Sequence, residues 1–202
     1  MVLALRSTRS SSYDPCYHRG LQGFIYSLIR RAGYLDLHDK PGCKFFSFSN
    51  LIPPGRRIEA GSKKTLVVAS PDSEMIACLQ DEARRIEGEE IRIGDMTFRL
   101  QGSKAIARNM PNGFEEFILE SGTPIVVRIP RYRLKEYGIA SARDYDYVYW
   151  RKDHTPTPFI KQLEENLLKK YNEYSGTTTD ETPIFEKVRF VKQVAVPLRM
   201  SS

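Results

Sequence analysis

Apolar residues recur at helical spacing in one early stretch of the chain. Leu21, Phe24, Ile25, Leu28 and Ile29 follow the i, i+3, i+4, i+7, i+8 pattern and predict an amphipathic helix. Gly33 supplies its stop, and Arg30 and Arg31 suit the negative end of the helix dipole. Upstream, residues 2–9 alternate apolar and polar positions and predict a first strand, with residues 10–18 as a polar link. Downstream, a short link carries His38, and past Gly42 the chain enters an expected strand over 45–49. Residues 51–63 form a loop containing Pro and Gly, and 64–70 are rich in β-branched residues and predict a strand. Pro71 is expected to open a second helix capped by Ser70, running through Met75, Ile76, Leu79 and Ala83 to about Ile86. Residues 91–100, with Gly94 and Asp95 at their centre, predict a hairpin.

This order is the βαββαβ pattern of a ferredoxin-like domain with an added hairpin arm. Turn formers over 109–113 mark a boundary. The second half then offers strands over 114–119 and 125–129, expected as a hairpin. A basic and aromatic stretch over 129–158 follows, holding five Tyr and the single Trp. Such interleaving can stack bases and bind phosphates. On the residues alone it reads better as an edge strand with a long polar loop. A third helix is expected from Pro158 to near Gly176, and residues 185–198 as a long strand or bent pair. The fold class expected is α+β, with two tandem ferredoxin-like domains over 1–110 and 111–202, the second incomplete at its C-terminal end.

Charge changes the picture more than composition does. The 202 residues, 41% hydrophobic and 28% charged, suit one large soluble domain or two small ones with real cores. No run is long enough to span a membrane, and the apolar part of residues 1–12 is too short for a signal peptide, so a cytoplasmic protein is expected. Cys16, Cys43 and Cys78 include no C-x-x-C pair and read as free thiols, with no metal or cofactor expected. The net charge of +6 is unevenly spread: residues 1–64 hold 11 Lys and Arg against 4 Asp and Glu, the remainder 20 against 21. A positive field concentrated in the first third suits a polyanion such as nucleic acid. The plainer alternative is a solvated basic face without a partner. The candidate phosphate contacts are Arg19, Gln22, Arg30, Arg31, Arg56, Arg57, Lys63 and Lys64.

Three side chains capable of acid–base chemistry fall in that same stretch. Tyr26 lies off the apolar stripe of the first helix, His38 sits in the link, and Lys44 stands where the next strand begins. A phenol, an imidazole and an ammonium can move protons and stabilise a developing anion without a metal. Each also has an ordinary reading, as amphipathic surface, a solvated loop histidine and a strand-edge guard.

The stretches LQGFIYSLI, LHDKPG and KFFSFSN resemble the Cas-six family of CRISPR repeat-processing endoribonucleases, a group of repeat-associated RNA-binding proteins. The likeness extends to residues 66–74 (LVVASPDSE) and 90–100 (EIRIGDMTFRL) and covers about half the chain. The resemblance implies a pair of ferredoxin-like domains, with Tyr26, His38 and Lys44 as the catalytic set. It also implies CRISPR repeat RNA as substrate, and other CRISPR-associated proteins or a second copy of the chain as partners. The implied reaction is metal-independent cleavage by the RNA's own 2′-hydroxyl, giving a 2′,3′-cyclic phosphate and a 5′-hydroxyl. The family's glycine-rich C-terminal signature has no counterpart here, since residues 177–202 contain no glycine. That departure keeps a non-cleaving RNA-binding subunit of the same fold as the alternative.

Overall fold

The structure is a computed structural model. It describes residues 1–13, 17–37, 42–55, 57–107, 125–140, 146–151, 153–180, 183–185 and 187–190. The chain separates into two units, one over Met1–Thr123 and one over Pro124–Leu198.

The first unit contains β1 (Val2–Ser7), β2 (Ser11–Ser12), α1 (Tyr17–Arg31), β3 (Ser47–Phe48), β4 (Arg57–Ile58), β5 (Lys63–Ala69), α2 (Ser73–Arg85), β6 (Glu90–Ile93) and β7 (Met96–Lys104). Five strands form an antiparallel sheet in the order β3-β5-β1-β7-β6, and β2 pairs separately with β4. The period of two in each strand sends alternate residues to the helix-covered face. Leu3 and Leu5, Leu66 and Val68, Phe98 and Leu100 all turn that way and are fully buried. Against them α1 buries Leu21, Phe24, Ile25, Leu28 and Ile29, the set picked out by its helical period. Burial of each such side chain stabilises by about 1.5–3 kcal/mol relative to exposure.

Local chemistry sets the ends of these elements. Gly33, at φ 94°, lets the chain leave α1 in a left-handed turn, with the Tyr34 N–H bonded to the Ile29 carbonyl at 3.1 Å. The helix begins at Tyr17, inside the expected polar link. The second helix corrects another expectation. Its cap is Asp72, whose carboxylate accepts from the Met75 N–H at 3.0 Å, and its first residue is Ser73. Ser70 is engaged elsewhere: its hydroxyl donates to the Phe45 carbonyl at 2.7 Å and accepts from the Asp72 N–H at 3.1 Å. The strand expected over 45–49 shrinks to Ser47–Phe48, because Phe45 at φ 44° leaves the extended conformation. The hairpin is as expected, with Ile93 opposite Met96 across Gly94 and Asp95.

The second unit contains β8 (Arg128–Pro130), α3 (Arg131–Leu134), β9 (Tyr147–Tyr149) and α4 (Pro156–Ser175). β8 and β9 pair antiparallel, with Ile129 opposite Val148. Trp150, Phe159 and Phe190 pack together at ring separations of 5.0–5.5 Å, and the Trp150 indole N–H donates to the Thr155 carbonyl at 2.8 Å. Pro156 opens α4 two residues earlier than expected, and Gly176 at φ 68° closes it. The expected strand over 125–129 is reduced to Arg128–Pro130. Its expected partner at 114–119, and the expected boundary at 109–113, lie outside the described residues. Of the strand or bent pair expected over 185–198, residues 185 and 187–190 are described and form no strand, with Phe190 packed on Trp150; residue 186 and residues 191–198 lie outside the described residues. No described helix is long and apolar enough to cross a membrane.

Candidate active site

The site is built on the exposed flank of α1. At about 100° per residue, Arg19, Gln22, Tyr26 and Arg30 fall within roughly 80° of one another, on the flank beside the buried stripe. Arg19, Gln22 and Arg30 are exposed, and Tyr26 is half-buried. The helix period therefore gathers three of the candidate phosphate contacts along the line of the phenol. Arg31 is exposed too, but it points about 100° away from Arg30 and lies off this line.

Tyr26 owes its partial burial to the segment that carries Lys44. The Phe46 ring meets the Tyr26 ring edge-on, with centroids 5.6 Å apart and planes at 85°. Lys44 is half-buried and only two residues before Phe46, so their backbones lie within about 7 Å. The segment is held from its other side by the Ser70 hydroxyl on the Phe45 carbonyl. Phe46 and Phe48 also pack against the core, which fixes the segment beside α1. The structure thus brings the Tyr26 and Lys44 segments together. His38 lies outside the described residues.

The remaining candidates divide. Arg56 lies outside the described residues, while Arg57 is exposed on β4 and ion-paired with Glu59 at 3.5 Å. Lys63 is exposed. Lys64 is 7% exposed, its ammonium donating to the Pro53 carbonyl at 2.6 Å and lying 5.4 Å from the Tyr13 ring centre. That ammonium serves the fold from a core-facing position. In the second unit, Arg128 lies over the Tyr147 ring at 4.7 Å beside a cavity of about 420 Å³ lined also by Asp146, Gln162 and Asn166. The basic and aromatic stretch, expected as an edge strand with a long polar loop, contains helix α3 and strand β9, which pairs with β8; residues 141–145 and 152 lie outside the described residues.

Sequence reasoning assigned Phe46 and Ser70, near the site, no part in it, because their contacts there join distant segments. His18 stacks on Tyr17 with centroids 4.3 Å apart, and burial lowers its pKa from the ordinary histidine value. It lies eight residues before Tyr26, about 12 Å along the helix, and belongs to a different place. Among the described residues no group of three or more His, Cys, Asp or Glu is arranged to hold a metal ion.

No family model matches the chain. A relative from Haloferax mediterranei, named CRISPR-associated endoribonuclease Cas6, is 25% identical over 207 residues, covering 100% of this chain and 75% of its own length. A relative from Methanocaldococcus jannaschii, named CRISPR-associated endoribonuclease Cas6 2, is 28% identical over 175 residues, covering 86% of this chain and 65% of its own. The solved structure described as CRISPR associated protein Cas6 superposes with a TM-score of 0.61 at 23% identity, covering 89% of this chain and 72% of the other. The fold defines the class first, an α+β protein with an antiparallel sheet shared with a CRISPR-associated structure. Within that class the chain is similar to proteins named CRISPR-associated endoribonuclease Cas6. It spans about two thirds to three quarters of the length of these curated relatives.

Proposed function

We propose that this chain processes CRISPR repeat transcripts as an endoribonuclease that needs no metal. The observation carrying the reading is the contact of Phe46 with Tyr26, which supports a shared site for the Tyr26 and Lys44 segments on the flank bearing Arg19, Gln22 and Arg30. Relatives named as CRISPR-associated endoribonucleases align over 86–100% of the chain, which supports the substrate class.

The nucleophile belongs to the substrate. The 2′-hydroxyl upstream of the scissile phosphate attacks phosphorus, and Tyr26 orients it and, entering the step as a phenolate, takes its proton to become the phenol. A phosphorane forms, with its charge met by the Lys44 ammonium. The bond to the 5′-oxygen breaks, and His38, entering as the imidazolium, protonates that oxygen; an imidazole exchanges protons near neutrality, which suits this transfer. The products are a 2′,3′-cyclic phosphate and a 5′-hydroxyl. Tyr26 and His38 can exchange roles without altering the products. Substrate and side chains together supply the nucleophile, both proton transfers and the charge stabilisation, so the step leaves no chemical task for a metal.

The strand order β3-β5-β1-β7-β6 with α1 and α2 on one face favours a ferredoxin-like first domain over 1–110, with β6 as the added arm. We extend that reading to a second ferredoxin-like domain over 111–202. A second copy of the chain and other CRISPR-associated proteins are the proposed partners. The alternative is an RNA-binding subunit of the same fold that does not cut. A repeat RNA with a single 2′-deoxy substitution upstream of the cut decides whether the substrate supplies the nucleophile. That RNA should bind as tightly as the unmodified one and remain intact. Cleavage at the same phosphate despite the substitution would refute the mechanism.

A further inference from the structure

Strand β3 begins only at Ser47, and the reason lies across the ladder. Its register sets Ser47 opposite Ala69 and Phe48 opposite Val68. Continued upstream, the same register would set Phe45 opposite Pro71. In an antiparallel ladder the pairs that exchange hydrogen bonds alternate with pairs that do not. The Ser49 N–H donates to the Val67 carbonyl at 2.8 Å, so Phe45 and Pro71 would fall on a bonding pair. Pro71 has no N–H to give the Phe45 carbonyl. The Ser70 hydroxyl supplies the donor instead, at 2.7 Å. That hydroxyl is itself oriented, because its oxygen accepts from the Asp72 N–H at 3.1 Å, and Asp72 caps α2. Three hydrogen bonds in series thus run from the Met75 N–H in the first turn of α2 to the Phe45 carbonyl. Phe45 has a φ of 44°, in the left-handed region that a residue with a bulky side chain rarely enters. Such a conformation persists only where the surrounding structure holds it. The turn lies between Phe46, whose ring meets Tyr26, and Lys44. Pairing of β3 and contact with the core hold Phe46 from downstream, so the residue whose direction depends on the turn is Lys44.

We propose that Ser70 is a positioning residue for the cleavage reaction: its hydroxyl holds the left-handed turn at Phe45 and so aims the Lys44 ammonium at the site beside Tyr26. The inference rests on the assignment of Lys44 under the proposed function and adds a residue from the far end of strand β5. Ser70 acts through the Phe45 backbone and takes no part in proton transfer. A misplacement of about 1 Å at a reacting group can lower a rate about a hundredfold. The phosphorane carries more negative charge than the bound phosphodiester. A misaimed Lys44 therefore slows the chemical step far more than it weakens RNA binding.

A double-mutant cycle on the full chain tests this with a CRISPR repeat RNA. The readouts are the single-turnover cleavage rate at saturating RNA, the RNA affinity and the melting temperature. Ser70→Ala should lower the rate about 10- to 100-fold and leave RNA affinity within about twofold of wild type. Its melting temperature should fall by roughly 2–6 °C, the loss of one hydrogen bond. Ser70→Thr keeps a hydroxyl and should hold the rate within about threefold of wild type. Lys44→Ala should lower the rate about 10²- to 10³-fold. In that background Ser70→Ala should add less than about threefold, because the group it aims is gone. Equal effects of Ser70→Ala in both backgrounds would overturn the proposal, and so would a wild-type rate in Ser70→Ala. A fall in RNA affinity as large as the fall in rate, or a Ser70→Ala chain that does not fold, would make Ser70 a structural residue and overturn it too. If the wild-type chain leaves the RNA intact, or Lys44→Ala cleaves at the wild-type rate, the proposed site fails and the role of Ser70 falls with it. If Lys44→Ala is slow and only the Ser70 arm is flat, the positioning role alone fails.

Discussion

Lys63 and Lys64 are neighbours with opposite fates. On a strand of period two, one must face solvent and the other the core. Lys64 takes the core-facing place opposite Leu5, and its ammonium reaches the Pro53 carbonyl and the Tyr13 ring. The sequence counted both as RNA contacts, because charge alone says nothing about which way a strand faces. Tyr26 was easier to read, since the helical period that buries Leu21 and Ile25 also fixes the flank where it stands. Its contact with Phe46 was not legible, because it joins segments separated by the link. At this scale the account makes a paired prediction. Tyr26→Phe keeps the ring against Phe46, so stability should stay within about 0.5 kcal/mol while the cleavage rate falls. His38→Ala should cost about 10²- to 10⁴-fold in rate with a far smaller change in RNA affinity. Equal losses of binding and cleavage in a gel-shift and single-turnover comparison would make His38 a structural residue.

Helix α1 shows how an element is positioned by what its side chains lack. A Cβ on Gly20 would lie 2.4 Å from the Gly94 nitrogen and 2.9 Å from the Ile93 carbonyl carbon, so the helix rests directly on the turn between β6 and β7. Both contacts are with backbone, which cannot step aside cheaply. Gly23, one turn later in the same helix, faces open space. Gly20→Ala should therefore destabilise the protein by about 1–3 kcal/mol, the cost of an overpacked contact. Gly23→Ala should stabilise it by about 0.5–1 kcal/mol, the difference in helix propensity. Denaturant midpoints measure both, and a stabilising Gly20→Ala would show that α1 does not meet the hairpin turn this closely. The sequence announced this helix and the hairpin through period and turn residues. It missed the cap of α2, where Ser70 and Asp72 both had the right chemistry. The choice fell to Asp72 because Ser70 is committed to Phe45 across the chain. Short elements such as β2, β4 and α3 had no periodic signal to read, since two to four residues cannot complete one.

For the whole molecule, uneven charge was the most informative feature of the sequence. The excess of 11 basic over 4 acidic residues in 1–64 falls on the unit that holds α1, the Lys44 segment and strand β1. The sequence did not show that these charges occupy two separate surfaces, the flank of α1 and the open sheet face, because only strand register brings Arg6 between Lys63 and Arg99. The proposed function puts the chemistry on the first surface. Its central claim is that substrate and side chains suffice for cleavage. The most direct measurement is incubation of the chain with a repeat RNA in excess EDTA, with the ends of the products identified by mass spectrometry. The account predicts undiminished cleavage at one phosphate, leaving a 2′,3′-cyclic phosphate and a 5′-hydroxyl. Cleavage that stops in EDTA and returns with added divalent ion, or products bearing a 3′-hydroxyl and a 5′-phosphate, would contradict it.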